Sequence, residues 1–569
     1  MKHDYFETLS HGKLIGILLA AAYLLLMMGN GFVSLTHPDE VFYVQSAKEM
    51  VQHHNWLTPM MFDKPQFEKP IFFFWLLAVN IKLFGLAPFA ARFWPAFFAI
   101  IGVAVTYWVA WMLFERKRLA FLSGLILTSS FIYLALARAV LTDMVFSVLV
   151  AATIALLYSG YKYRASADQW IIGAAAVAGF AVLTKGVLGM IFPATVLAIF
   201  LSYKKDWVFL TTRGTWLGLC VFLLIALPWH ILMYQWYGRE FIQEYVQNVH
   251  IRRVIEAEHA RLDNWYFYIG IMFAGILPWS FFWPPAARLV WRQFKEKLPE
   301  RDKLFFLLAW ILGVYICVQP AHSKLASYVF PVFPAIAVLI AYYLDRALRQ
   351  AEEPGPPSAR LAKGGRASAL TLGGYVLAVF LVVGAAGAVV AANIFKNFVV
   401  HPAPVYVFTI LLVATAVCIF IFNRRRAYLN MLFAHAGVTV ALLAVLLLAR
   451  PSAEPWVSCK DITDIFKTVD HSDSTVLASK FYVRGVRFYT DRKMAIIDIN
   501  GEGFFSPHPI PFLNTDQKVL DFLKTQPVTY AILKEGNVRD LKRIIAEQPY
   551  RVQDIAAIGG KYILRIEKI

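Results

Sequence analysis

Residues 14–40 read LIGILLAAAYLLLMMGNGFVSLTHPDE, and this stretch decides what kind of molecule the chain makes. From Leu14 to Val33 there is no charge, over a length that crosses the hydrocarbon of a bilayer as helix. The run is too long for a signal-peptide core and has no small-residue cleavage pattern after it, so it reads as a retained helix. Outward from it, similar blocks recur about thirteen times, the last at 429–449. The run Ile71 to Phe84 is short and carries Lys82, and it reads as an interfacial or re-entrant helix instead. The chain has 569 residues, 59% of them hydrophobic and only 16% charged. That balance excludes a disordered chain, a fibrous protein and an ordinary cytosolic enzyme. The expected fold class is mainly α, a polytopic membrane protein.

The net charge of +18 invites a nucleic-acid reading until it is located. Residues 452–569 hold 17 Lys/Arg against 15 Asp/Glu, so the excess lies in short loops between apolar blocks. There it serves topology control rather than a nucleic-acid surface. Alternate loops carry 24 Lys/Arg on one side and 14 on the other, outside the tail. The richer side is expected to be cytoplasmic, with the N-terminus; the C-terminal tail then lies outside. Two domains follow: a transmembrane catalytic part, 1–451, and a soluble α/β part, 452–569. In the tail, helices are expected at 459–469, 515–526 and 537–548, with strands at 475–480, 494–499, 528–534 and 562–567. The stretch Glu353–Ser368, rich in Pro, Gly and basic residues, reads as a linker. Three of the four cysteines sit in apolar runs, which argues against a disulfide framework.

Ionisable residues that persist at span ends mark function, because desolvating them is costly. On this topology they gather on the outer side. Asp39 and Glu40 follow the first span, and Glu68-Lys69 stands between prolines in the same loop. Acids after Pro38 suit a helix start; a carboxylate at a membrane surface also suits a general base that activates an acceptor hydroxyl, for which Asp39 is the choice. Arg138, Asp143, Lys185, Arg252, Arg253, Lys324 and Tyr328 lie at other outer ends. The cations either snorkel to lipid headgroups or converge on a phosphate, with Arg as a fork and Lys as a point charge. Glu68 and His250 have the chemistry of metal ligands, but their separation equally fits an ordinary ion pair. No phosphate-loop, dinucleotide or HExxH motif is present, so no nucleotide cofactor is expected and the energy must come from an activated substrate or an ion gradient.

These segments resemble bacterial membrane glycosyltransferases of the GT-C fold, and most of all the lipid A aminoarabinose transferases. The likeness runs in order through His37-Pro38-Asp39-Glu40, Phe67-Glu68-Lys69-Pro70, Leu141-Thr142-Asp143-Met144, Leu183-Thr184-Lys185-Gly186, His250-Ile251-Arg252-Arg253 and Ser323-Lys324-Leu325, over roughly residues 10–345. It implies a GT-C architecture of about 13 transmembrane helices with a periplasmic C-terminal domain, in a bacterial inner membrane. It implies an undecaprenyl-phosphate sugar donor, a lipid A or other saccharide acceptor, and a monomer among membrane lipids, with no nucleic acid. By the same resemblance Asp39 is the base, and Asp143 and Glu40 are further catalytic acids. The resemblance places Lys69, Arg252, Arg253 and Tyr328 around the carrier phosphate, where Arg138, Lys185 and Lys324 of the outer cationic set are expected as well, and it matches Glu68 and His250 to positions that hold a divalent metal such as zinc. Phe42, Gln45 and Lys48 depart from the family's first loop, which leaves the sugar and acceptor open. A protein O-mannosyltransferase-like enzyme, or a transporter or flippase, are the other readings.

Overall fold

A computed structural model describes residues 5–256, 262–352, 366–396, 402–470, 472–503 and 510–569. Most of the 353–368 linker therefore lies outside the described residues. A bundle of long apolar helices carries, at one end, a small six-stranded sheet domain.

Each of the thirteen expected blocks contains helix, but the count of thirteen crossings is not reproduced. Among the described residues, eight helices are long and apolar enough to cross a membrane, rising to ten if each bent pair is one span. The difference has a physical source. His11–Met27 and Leu188–Lys204 are shorter apolar helices, and Arg301–Val318 begins with three charges. Phe72–Phe84 is likewise short and packs its Phe73, Phe74 and Leu77 face inward.

The bent pairs are Lys117–Thr128 with Phe131–Ala137, at 62°, and Phe267–Gly275 with Trp279–Lys295, at 107°. A break inside a membrane frees backbone groups that water does not reach, so they need protein partners. Here the two breaks supply each other. Phe131 donates its N–H to the Leu277 carbonyl at 3.0 Å, and Trp279 donates its indole N–H to Ser129 Oγ at 3.0 Å. Thr439 donates to the Ser129 carbonyl at 2.5 Å.

The soluble end reads β-α-β in alternation. Its sheet has the order 512–513, 494–497, 476–479, 528–534, 561–568, 550–558; the first four strands run parallel and the last two are antiparallel. The expected helices and strands are found, as Lys460–Val469, Asp516–Leu523, Glu535–Ile545 and Val476–Ser479, Met494–Ile497, Val528–Lys534, Lys561–Lys568. Sequence patterning missed the edge strand Tyr550–Ile558, whose exposed residues blur the alternation. It also missed the helix Val483–Thr490, which packs against the helix Asp39–Gln52 beside the bundle. Lys48 pairs with Asp491 at 2.6 Å, Arg487 with Asp63 at 2.7 Å, and Tyr489 donates to the Leu35 carbonyl at 3.1 Å.

Candidate functional site

The site is built outward from one buried ion pair. Arg92 lies within the helix Pro88–Phe114 and grips Glu40 with both arms, Nε to Oε1 at 2.8 Å and Nη2 to Oε2 at 2.5 Å. The same guanidinium donates to the carbonyls of Asn30, Val33 and Ser34, the tail of the first apolar segment. Glu40 also accepts from the N–H groups of Thr36 and Val140, both at 2.9 Å. Burial on its own would raise the Glu40 carboxyl, but Arg92 and these donors outweigh it and hold the group below the usual value. Glu40, expected among the catalytic acids, is thus wholly enclosed by structural partners. Its neighbour Asp39 stands at the start of the helix and is exposed.

One turn beyond Asp39, Tyr43 is buried, and its ring meets Phe73 edge-on at 5.4 Å. Burial raises its phenol, and the charges of Asp143, Asp39 and Glu68 raise it further, so three carboxylates lie near enough to act on this one group. Beside them is a cationic group. Burial lowers Lys69 to about 7; the charges of Arg253 and Lys185 push the same way, while Glu68 and Asp143 pull against them. Lys185 donates to Asp143 Oδ1 at 2.5 Å, with both side chains 9% exposed. The Lys185 ammonium also lies 4.9 Å from the centre of the Tyr328 ring. Asp39, Glu68, Lys69, Asp143, Lys185, Arg253 and Tyr328 are therefore drawn together at the end of the bundle that carries the soluble domain.

Three expected residues are engaged differently. Arg138 donates to the carbonyls of Leu25 and Met28, at 3.0 and 2.9 Å, where the first apolar helix ends in a π-turn. Arg252 is exposed and pairs with Glu256 one turn away at 2.7 Å. Lys324 donates to Asp263 at 2.5 Å, and the same carboxylate meets His322 at 2.6 Å. Sequence reasoning passed over Arg92 and Asp263. Arg92 was detectable, since an arginine inside an apolar block is itself a signal. Its pairing with Glu40, more than fifty positions away in sequence, was not.

A metal needs a donor set. His250 donates Nδ1–H to the Tyr245 carbonyl at 2.7 Å, which leaves Nε2 as the acceptor nitrogen. Nε2 faces Gly186, where an added Cβ would stand 2.5 Å away. Among the described residues, however, no three His, Cys, Asp or Glu side chains gather for a metal ion. Glu68 and His250 fall short of the three protein ligands of a catalytic zinc site.

Against known proteins, the architecture is that of the GT-C membrane glycosyltransferases. A crystal structure of ArnT from Cupriavidus metallidurans bound to undecaprenyl phosphate superposes with a TM-score of 0.78 over 98% of both chains, at 20% identity. The oligosaccharyltransferase AglB from Archaeoglobus fulgidus shares the broader fold, with a TM-score of 0.50 over 98% of this chain and 74% of that one, at 11% identity. By sequence, part of the chain is similar to the aminoarabinose transferases. It is 29% identical over 313 residues to undecaprenyl phosphate-alpha-4-amino-4-deoxy-L-arabinose arabinosyl transferase 2 of Proteus mirabilis, which is 54% of this chain and 55% of that one. It is 27% identical over 334 residues to the corresponding transferase of Photorhabdus laumondii, 58% of each chain. The chain thus spans a little over half the length of these relatives. Residues 14–240 match the family of dolichyl-phosphate-mannose-protein mannosyltransferases.

Proposed function

We propose that the protein is an integral-membrane glycosyltransferase that moves a sugar from undecaprenyl phosphate to lipid A or a related acceptor, with inversion. By its relatives, the sugar is 4-amino-4-deoxy-L-arabinose. The observation that carries the proposal is the meeting of three carboxylates, Asp39, Glu68 and Asp143, with Lys69, Lys185 and Arg253 at one end of the bundle. Transfer from a polyprenyl phosphate needs both signs: a base where the acceptor is deprotonated and cations where the phosphate leaves.

In this reading exposed Asp39 takes the proton of an acceptor hydroxyl, or orients an acceptor phosphate, and the oxygen attacks the anomeric carbon. The bond from that carbon to the carrier phosphate breaks on the opposite face. Lys69, Lys185 and Arg253 stabilise the departing phosphate, and Tyr328 lines its place. Asp143, locked to Lys185, aims that ammonium rather than acting as a base. Glu40 positions the start of the helix that presents Asp39. Glu68 and His250 are the residues that would hold a divalent ion, which would add positive charge beside the phosphate; as two donors they fall short of a catalytic metal site, and no step above depends on one. In this reading the site and the C-terminal domain face the periplasm from an inner membrane, and the excess of Lys/Arg in the opposite loops supports that orientation.

The test is to incubate purified protein with bacterial membrane lipid extract and analyse lipid A and polyprenyl phosphates by mass spectrometry. A pentosamine-sized gain on lipid A, absent with Asp39→Asn, is expected. Gain of another sugar would keep the reaction class and discard the named sugar. A second reading, transfer to protein Ser/Thr, is favoured by the match over residues 14–240; it predicts label on protein instead of lipid.

A further inference from the structure

The soluble domain does more than sit on the bundle. Its helix Val483–Thr490 lies on the helix Asp39–Gln52, which begins with the proposed base. Within the domain Gly485 lies tight against the helix start at Cys459, where a Cβ would stand 2.7 Å from Sγ, and it faces His37, whose Cβ would be 3.4 Å away. His37 is wedged edge-on against the rings of Phe481 and Tyr482, with centroids 5.0 and 5.2 Å away, and its backbone N–H reaches the Val457 carbonyl at 3.0 Å. Burial, then the charge of Lys561, lowers the imidazole to about 3, so this contact is made by a neutral ring.

Arg484, the residue before that glycine, reaches the first loop of the bundle. Its guanidinium lies 4.5 Å from the centre of the Phe42 ring, and Nη2 stands 3.6 Å from Glu68 Oε1. Its side chain is 11% exposed and that of Glu68 is 16%. Phe42 lies three positions after Asp39 on one helix, so the two share a face. Arg484 thus bridges the two parts of the first loop, Asp39–Phe42 and Glu68, that supply two of the three site carboxylates. Stacking on a ring engages the flat face of a guanidinium, a geometry that lysine does not reproduce. The docking pairs are separate from it: Lys48–Asp491 ties the helix Asp39–Gln52 to the end of Val483–Thr490, Arg487–Asp63 ties Val483–Thr490 to the turn after Met61, and neither pair includes Glu68.

We infer that Arg484 is a positioning residue of the transferase site, supplied by the soluble domain, which holds the Glu68 carboxylate against Phe42 and makes that domain a working part of the site. The functional arm rests on the transferase reading; the chemical arm does not. In the chemical arm, full-length protein is treated with a water-soluble carbodiimide and glycine ethyl ester, and modification of each carboxylate is followed by mass spectrometry. Arg484→Ala should speed modification of Glu68 about fivefold or more, leave exposed Asp491 within twofold, and shift Tm by no more than Lys48→Ala does. Arg484→Lys should give an intermediate rate. Unchanged Glu68 reactivity in Arg484→Ala would overturn the inference. So would an equal rise in Lys48→Ala, since that variant loosens docking without touching Glu68. In the functional arm, Arg484→Ala should lower kcat about tenfold with donor KM within threefold, and Arg484→Lys should recover part of it. A kcat equal to wild type would overturn the working role. Absence of turnover in the wild type would count against the transferase reading, with the carbodiimide result still deciding the contact.

Discussion

The two ends of the helix bundle both bury charge, and they bury it differently. At the end away from the soluble domain, Asp345 is fully buried and meets Arg118 at 2.9 Å, Arg349 at 3.0 Å and Arg116 at 3.5 Å. Glu300 and Glu352 close the group, pairing with Arg116 at 2.7 Å and Arg118 at 2.8 Å. At the other end, Lys69, Lys185 and Arg253 are set close enough for their like charges to act on one another, and Asp39 stays exposed. The first arrangement spends its charge on itself. The second sets Lys69, Lys185 and Arg253 near one another with Asp143 and Glu68 among them, and leaves an exposed carboxylate, Asp39, beside the group. The same logic separates two adjacent residues: Glu40 is enclosed by Arg92 and backbone donors, while Asp39 faces outward.

That contrast can be broken at several points. Asp39→Asn should lower turnover by about 10²–10⁴-fold, the span of general-base contributions, with Tm unchanged; a Tm loss in parallel would move Asp39 to the structural class. Asp345→Asn should do the reverse. Removing one partner of a buried charge group costs about 3–5 kcal/mol, so Tm in detergent should fall clearly while turnover per folded molecule stays near wild type. Glu40→Gln should also destabilise, by about 1–3 kcal/mol for the buried hydrogen bonds it weakens, and its effect depends on pH in a defined direction. Because Glu40 titrates below its unfolded value, its contribution is present above that value, near 4.5, and is lost as pH falls through the depressed one. Melting curves of wild type and Glu40→Gln should therefore differ most at neutral pH and converge in acid. The smallest effect belongs to Arg252→Ala. An exposed pair one helical turn apart contributes about 0.3–0.5 kcal/mol, and turnover should change less than twofold; a tenfold loss would return Arg252 to the phosphate site.

Much of this molecule was legible before folding. Apolar length announced the bundle, and charge kept at span ends announced the site segments, because both signals are local. The misses in residue roles are non-local. Only the approach of Pro88–Phe114 turns Glu40 from a candidate acid into an anchor, and Arg138 looked like a phosphate ligand until the carbonyls of Leu25 and Met28 came within reach. The helix Val483–Thr490 was missed because its sequence, VRGVRFYT, mixes Gly with β-branched residues of low helix propensity. It is held by what it docks against, and it delivers Arg484.

The paired breaks in the bundle also say something about how the chain is made. Ser129 and Phe131 find their partners, Trp279 and Leu277, only after about 150 further residues have been synthesised. At about 5–20 residues per second that is an interval of roughly 8–30 s. During it, the earlier helix pair must wait with open backbone groups, shielded by the insertion machinery or by water at the membrane surface. The two bends are thus a timing constraint on biogenesis: the first half of the bundle cannot close until the second has arrived.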